Sequence, residues 1–263
     1  MSDDMSDRAP QIDVLRYNSQ SWDRRVESGD QWTRPVTAEI VAAARRGAWS
    51  IILTPTKPVP RHWFPELDGC RLLCLGGGGG QQSPILAAAG ASVTTLDASA
   101  AQLAQDRMVA ERDGLHIALE QGDFADLSRF ADESFDLIVH PTSNLFAPAI
   151  RPIWRECFRV LVPGGRLIAG FVNPVAFAVS LVREKPEDLR IVNKLPYSDI
   201  EQAGLASRMA SGDSLEWGHS LEDQIGGQTE AGFHIIGFYE DTQPGDPLTD
   251  FVPNHIATLA EKP

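Results

Sequence analysis

The sequence predicts an α/β fold, a mostly parallel sheet with helices on its faces that ends in an antiparallel strand. Between Cys70 and about Pro174, short apolar runs alternate with amphipathic stretches, the pattern of βαβ units. A glycine run, Gly76 to Gly80, directly follows the first apolar run. Near the C-terminus, two apolar runs are joined by a loop rich in Pro, Asp and Gly without helical periodicity, and strands so joined are most easily antiparallel.

Residues 1–65 hold four of the six tryptophans (Trp22, Trp32, Trp49 and Trp63) and run into the proline-punctuated TPTKPVPRHWFP. That aromatic density exceeds what a solvated extension needs, so the segment is expected to be an N-terminal cap or lid over a binding pocket. Residues 66–263 then form the main domain. Its expected parallel strands are Arg71 to Leu75, Ser92 to Asp97, His116 to Gln121, Phe135 to His140 and Arg166 to Phe171. The clearest helix runs from Pro148 to Leu161, where Ile150, Ile153, Trp154, Cys157, Phe158 and Leu161 recur at helical spacing before Pro163-Gly164-Gly165 stops the run. Polar stretches at about 175–225 read as an insertion. The terminal pair is Phe233 to Tyr239 and His255 to Leu259, with Glu240 to Asn254 as the loop between them.

A chain of 263 residues that is 43% hydrophobic can build a substantial core. Its 23 Lys and Arg against 36 Asp and Glu leave a net charge of −13, which repels phosphate backbones and argues against a nucleic-acid partner. The three cysteines form no C-x-x-C pair, so reduced thiols and a cytoplasmic setting are expected, with neither a disulfide framework nor a zinc site. The acidic MSDDMSDRAPQ start lacks the basic-then-apolar order of a signal peptide, and no run of about 18 apolar residues suggests a membrane span.

The chemistry concentrates in LLCLGGGGGQQSPILAAAGASVTTLDAS. A strand running into glycines lets the backbone approach a ligand, and the following helix offers N–H groups and its positive dipole end. About 20 residues on, Asp97 ends the next strand, where a carboxylate accepts hydrogen bonds from a ribose diol. A nucleoside-containing cofactor follows from the pairing. Gly76, Gly78 and Gly80 satisfy G-x-G-x-G, whereas the third glycine of the dinucleotide pattern G-x-G-x-x-G falls on Gln81 or Gln82. Gly122-Asp123-Phe124 after the third strand places an acid to accept from an adenine amine and a ring to pack near its face, although Gly-Asp alone also suits a plain turn.

The order of glycine loop, Asp97, Gly122-Asp123, ESFDLIVHP, FRVLVPGGRLIAG and terminal strand pair resembles the class I S-adenosylmethionine-dependent methyltransferases, with their Rossmann-like sheet, over most of residues 70–263. Within that superfamily the chain is similar to a bacterial group, largely of unassigned substrate, that shares TPTKPVPRHWFP, GGGQQSPILAAAGA, QDRMVAERDGL, HPTSN, KLPYSD and LEDQIGGQTEAGF, and this resemblance extends into the cap. It implies S-adenosylmethionine as cofactor, with Gly76, Gly78 and Gly80 lining its methionine part, Asp97 at the ribose, and Asp123 with Phe124 at the adenine. Cys74 departs from the pattern, since many members carry an acid there for the cofactor's amino group. In the fourth-strand segment His140-Pro141-Thr142-Ser143-Asn144, His140 is a candidate general base, or else only a hydrogen-bonding group to cofactor or backbone. His219 is a second candidate, and the remaining histidines show no metal-ligand spacing, so no metal is expected.

A sulfonium methyl is already activated, so in-line displacement needs alignment and exclusion of water rather than a nucleophilic residue. The expected activity is therefore methyl transfer to a small-molecule acceptor. A non-catalytic sensor of the cofactor is the alternative. A nicotinamide-dependent oxidoreductase is disfavoured by the missing third glycine.

Overall fold

The computed structural model describes residues 12–180, 182–202 and 205–263. The first eleven residues of the expected cap, and positions 181, 203 and 204 of the expected insertion, lie outside them.

Helices α1 (Val14–Ser28) and α2 (Ala38–Arg45) precede a βα succession of β1 (Arg71–Leu75), α3 (Gln82–Ala88), β2 (Ser92–Asp97), α4 (Ala100–Asp113), β3 (Ile117–Gln121), β4 (Phe135–His140), α5 (Arg151–Val160) and β5 (Leu161–Val172). The insertion carries α6 (Val175–Ala178), α7 (Leu205–Ser211) and a small antiparallel pair, β6 (Tyr197–Ser198) with β7 (Trp217–Gly218). Helix α8 (Gly227–Ala231), β8 (His234–Asp241) and β9 (His255–Glu261) complete the chain.

Seven strands form one sheet in the order β3-β2-β1-β4-β5-β9-β8. Strands β1 to β5 are parallel, and β9 is antiparallel to both β5 and β8. Only β9 therefore runs against the rest, and it sits inside β8 rather than at the edge. The burial of the two strands explains this order. The central five residues of β9 are all buried, as suits a strand covered on both faces, whereas β8 buries only Tyr239 and Asp241. The expected helix at 148–161 begins later, at Arg151, and Leu161 already pairs with Phe135, so Pro163-Gly164-Gly165 is an irregularity within β5 rather than the stop before it.

Two apolar clusters cover the sheet. One joins Leu72, Val139 and Ile168 to Leu86 of α3 and to Ile51, Leu53, Val59 and Trp63. The other joins Leu73, Ile138 and Leu167 to Ile153, Trp154 and Cys157 of α5. The expected cap thus divides: residues 51–64 pack into the sheet's core, while α1 lies elsewhere, against α4 and the insertion. Asp13 caps α1 by accepting from the Arg16 N–H, and Gly29, at φ 71°, ends it in the left-handed region that glycine adopts without a Cβ penalty.

Helix α1 is tethered through polar groups. Buried Asn18 donates from Nδ2 to the Phe146 and Leu215 carbonyls (3.1 and 3.0 Å) and accepts from the Leu215 N–H at 2.7 Å. The Ser21 hydroxyl donates to Gly212 O, and Asp23 Oδ1 accepts from the Ser99 hydroxyl (2.6 Å) and the Ala101 N–H (3.1 Å) at the start of α4. One helix so links the insertion to the second βα turn. All three cysteines are buried and unpaired.

Candidate active site

A cavity of about 460 Å³ opens at the C-terminal edge of the parallel strands, where α/β sheets place their ligand crevice. Gly76, Gly77 and Gly78 form part of its wall. A Cβ on Gly76 would lie 2.6 Å from Ser143 Oγ, and one on Gly78 would lie 2.8 Å from Gln102 Cβ. Side chains are sterically excluded at both positions, and the bare backbone forms the cavity surface. Gly80 corrects the sequence-based expectation, for it does not line the cavity. Its hypothetical Cβ would meet Pro35 Cβ at 2.9 Å and Val109 Cγ2 at 3.1 Å, its N–H donates to Asp106 Oδ1 at 3.1 Å, and its carbonyl accepts from the Val36 N–H at 2.8 Å. The third glycine lets the loop pack on α4 and on the segment before α2.

Asp97 ends β2 at the cavity wall. Its Oδ2 accepts from the Gly78 N–H at 3.0 Å and its Oδ1 from the Ser99 N–H at 2.9 Å, so one carboxylate ties the glycine loop to the next turn. Burial pushes its carboxyl up to about 6, against the pull of those two N–H groups, and the nearby Asp23 carboxylate adds to the rise. Asp123 and Phe124 also line the cavity. Asp123 Oδ1 accepts from the Ala125 N–H at 2.8 Å, which fixes the turn and leaves Oδ2 without a protein partner among the described residues. Cys74 is fully buried below the loop and is absent from the wall.

His140 lies outside the cavity wall as well. Its ring is fully buried between Phe124 and Trp154, with centroids 5.6 and 6.1 Å away, and its Nδ1 stands 2.6 Å from the Leu75 carbonyl, which makes Nδ1 the donor. Burial draws its pKa down to about 4. Of the two expectations for His140, this geometry matches the backbone hydrogen bond, because a general base must reach the proton it removes and this ring has no surface in the cavity. His219 is likewise buried away from the wall, with Nε2 at 3.0 Å from the Ala147 carbonyl.

The same cavity is also lined by Pro141, Thr142 and Ser143, by the apolar Ile52, Leu53 and Val172, and by Gln243 and His255. Helix α1 closes it with Val14, Leu15, Asn18, Trp22 and Arg25, joined by Trp32. Trp22 and Trp32 thus face the cavity, whereas Trp63 is core and Trp49 packs edge-on to Phe64 under the Arg61 guanidinium. The tryptophan density in the sequence flagged this segment, but nothing in local pattern flagged Asn18, Gln243 or His255. Among the described residues no cluster of three or more His, Cys, Asp or Glu could hold a metal ion, and no helix is long and apolar enough to cross a membrane.

Comparison with known proteins decides the family. Residues 73–169 match a family model described as "Methyltransferase domain". The chain is 47% identical over 252 residues to the "Uncharacterized methyltransferase YbaJ" of Bacillus subtilis, covering 95% of this chain and 98% of that protein. The chain belongs to the class I S-adenosylmethionine-dependent methyltransferases. Two solved structures share the fold of this methyltransferase. An S-adenosylmethionine-dependent methyltransferase from Mesorhizobium loti is 22% identical at a TM-score of 0.60, covering 76% of this chain and 94% of that one. Another, from Methanosarcina mazei, is 20% identical at a TM-score of 0.55, covering 80% and 99%. The cofactor is S-adenosylmethionine, and the bare Gly76 and Gly78 backbone beside the Asp97 carboxylate suits its methionine and ribose parts.

Proposed function

We propose that this methyltransferase acts in the cytoplasm on a neutral, largely apolar small molecule, held beyond the glycine loop and methylated by direct in-line displacement. The observation that carries this reading is the continuity of the cavity. One cavity is lined both by Asp97 and Asp123 and by Ile52, Leu53, Pro55 and Val172, and Arg25 is the single cationic side chain among the described lining residues. Such a lining suits an uncharged guest and disfavours a phosphate backbone or an acidic peptide.

In this reading Gly76 and Gly78 face the methionine part, Asp97 accepts from the ribose hydroxyls, and Asp123 Oδ2 accepts from the adenine amine beside the Phe124 ring. Bound S-adenosylmethionine supplies a methyl group on a positively charged sulfur, already activated for displacement. The protein aligns the acceptor and keeps water out, which is the task of α1 through Trp22 and its Asn18 tether. His140 is assigned a structural role, holding the end of β1 through Leu75 O.

Screening bacterial metabolite extracts for S-adenosylmethionine-dependent formation of S-adenosylhomocysteine tests the proposal. Product formation from a neutral, organic-extractable fraction is expected. Activity only with a polyanionic fraction would overturn the acceptor class, and tight cofactor binding with no product from any fraction would favour a sensor.

A further inference from the structure

His255 opens β9. It pairs with Val172 of β5 on one side and Asp241 of β8 on the other. Because β9 runs opposite to its neighbours, its first residue reaches the same sheet edge that carries the glycine loop and Pro141 to Ser143, and His255 is among the residues lining the cavity there. From β1 the sheet order runs β4, β5, β9, so His255 stands three strands away from the glycine loop, about 14 Å at normal spacing. That distance puts it on the acceptor side, beyond the cofactor.

The protonation of this ring is set by a chain of polar contacts whose direction is unambiguous. Arg183 grips Asp246 in a two-pronged ion pair, Nε to Oδ1 at 2.7 Å and Nη2 to Oδ2 at 2.6 Å. Asp246 Oδ2 also accepts from Asn254 Nδ2 at 3.0 Å, which fixes that end of the amide as the donor. The other end, Asn254 Oδ1, accepts from the Gln243 N–H at 2.9 Å and faces His255 Nδ1 at 2.9 Å. An amide oxygen can only accept, so Nδ1 carries the hydrogen and Nε2 is left as a lone pair. Among the described residues no group meets Nε2. Burial holds the ring's pKa down to about 4 although the Asp241 and Asp246 carboxylates pull it upward, so the imidazole is neutral at physiological pH. Asp241 is itself engaged by Thr54 Oγ1, by both the N–H and the hydroxyl of Thr56, and by the Lys57 N–H, and Asp246 is neutralised by Arg183.

We propose that His255 is the specificity-determining group of the acceptor pocket, its Nε2 accepting a hydrogen bond from a hydroxyl of an otherwise apolar, uncharged methyl acceptor. This rests on the methyltransferase reading of the cavity given above, and it narrows the acceptor class to molecules that carry a hydroxyl for recognition, with the ring taking no proton in the transfer. The hydrogen bond orients the acceptor and rejects its deoxygenated counterpart, which would leave Nε2 buried against carbon.

The test uses the full chain saturated with S-adenosylhomocysteine. Calorimetry compares matched probes, phenol with benzene, 4-propylphenol with propylbenzene, and 2-naphthol with naphthalene. At least one phenol should bind about tenfold more tightly than its parent, and His255→Phe, which keeps the ring shape, should erase that preference while S-adenosylhomocysteine affinity stays within about twofold. Nitrogen NMR of the wild-type ring adds a readout independent of the variant's folding: a neutral Nδ1–H tautomer, with the Nε2 resonance shifting on phenol binding. Equal binding of each pair, binding of none of the probes, a preference that survives His255→Phe, or the Nε2–H tautomer would overturn the proposal. Failure to bind S-adenosylhomocysteine at all would instead remove the cofactor-site reading.

Discussion

Replacing Asp97 by Ala separates its two duties. In the ligand-free protein the carboxylate is held against burial, its pKa raised from 3.8 to about 6. A rise of that size is a penalty of about 3 kcal/mol on the ionised form. That penalty is already net of the pull of the Gly78 and Ser99 N–H groups, and deleting the carboxylate relieves it but leaves both N–H groups without this partner, a cost on the order of 1 to 3 kcal/mol each. Stability should therefore change little in Asp97→Ala. Affinity for S-adenosylhomocysteine should not be spared, because a ribose hydroxyl donating to a carboxylate is a charge-assisted bond worth about 1.5 to 3 kcal/mol, or about 10- to 150-fold. The pH dependence has a definite sign. Ribose binding favours the ionised carboxylate, so wild-type affinity should be constant above about pH 7, halve near the ligand-free pKa of about 6 and be about tenfold lower at about pH 5. Isothermal calorimetry from about pH 5 to 8, with melting curves for both proteins, checks this. A variant that binds within twofold of wild type while folded, or a wild-type affinity flat across that range, would refute the ribose assignment.

Three further outcomes follow from the same structure. Asp106 is fully buried, with Oδ1 accepting from the Gly80 N–H and Oδ2 unpartnered, and burial together with Asp97 holds its carboxyl well above the usual range. The folded state thus binds this proton more tightly than the unfolded chain does, so stability falls as pH rises past the unfolded carboxyl value. Asp106→Asn mimics the protonated acid, and chemical denaturation at about pH 8 should show equal or greater stability with a flatter pH profile; lower stability there would contradict it. His140→Gln breaks a buried bond to Leu75 O and should cost on the order of 2 kcal/mol of stability, with turnover of the fully cofactor-loaded enzyme nearly unchanged; a large fall in that turnover at unchanged stability would restore the general-base role. Asn18→Ala leaves the Leu215 N–H and the Leu215 and Phe146 carbonyls without their side-chain partner, a local cost on the order of 3 kcal/mol. Amide exchange across 14–28 should accelerate while β1 to β5 stay protected, and unchanged exchange there would show that Asn18 is not the anchor.

By itself the sequence determined the features that depend on neighbours along the chain. The bounds of β1, β2 and β4 coincide with those read from the sequence: Leu72 to Leu75 and Leu137 to Val139 are the continuous apolar stretches a buried parallel strand needs, and β2 is marked by β-branched Val93, Thr94 and Thr95 between two turns. Gly76 and Gly78 ahead of Asp97 were legible because a strand-to-glycine turn is a local backbone requirement, and the glycine loop does carry the cavity wall. Local pattern could not say which way each glycine faces. Gly80 belongs to the same G-x-G-x-G run, yet it packs on Pro35 and Val109 because α4 and the segment before α2 close on that side of the loop. The same limit applies to the histidines. His140 ends an apolar strand at the ligand edge and reads as a catalytic group, but Trp154 and Phe124 cover it, whereas His255 begins an unremarkable run and reaches the cavity because β9 inserts antiparallel beside β5. Its tautomer depends on Arg183, Asp246 and Asn254, and Arg183 lies far away along the chain. Whether a buried polar atom is satisfied, and by what, is decided by long-range packing, and only the tertiary structure specifies that.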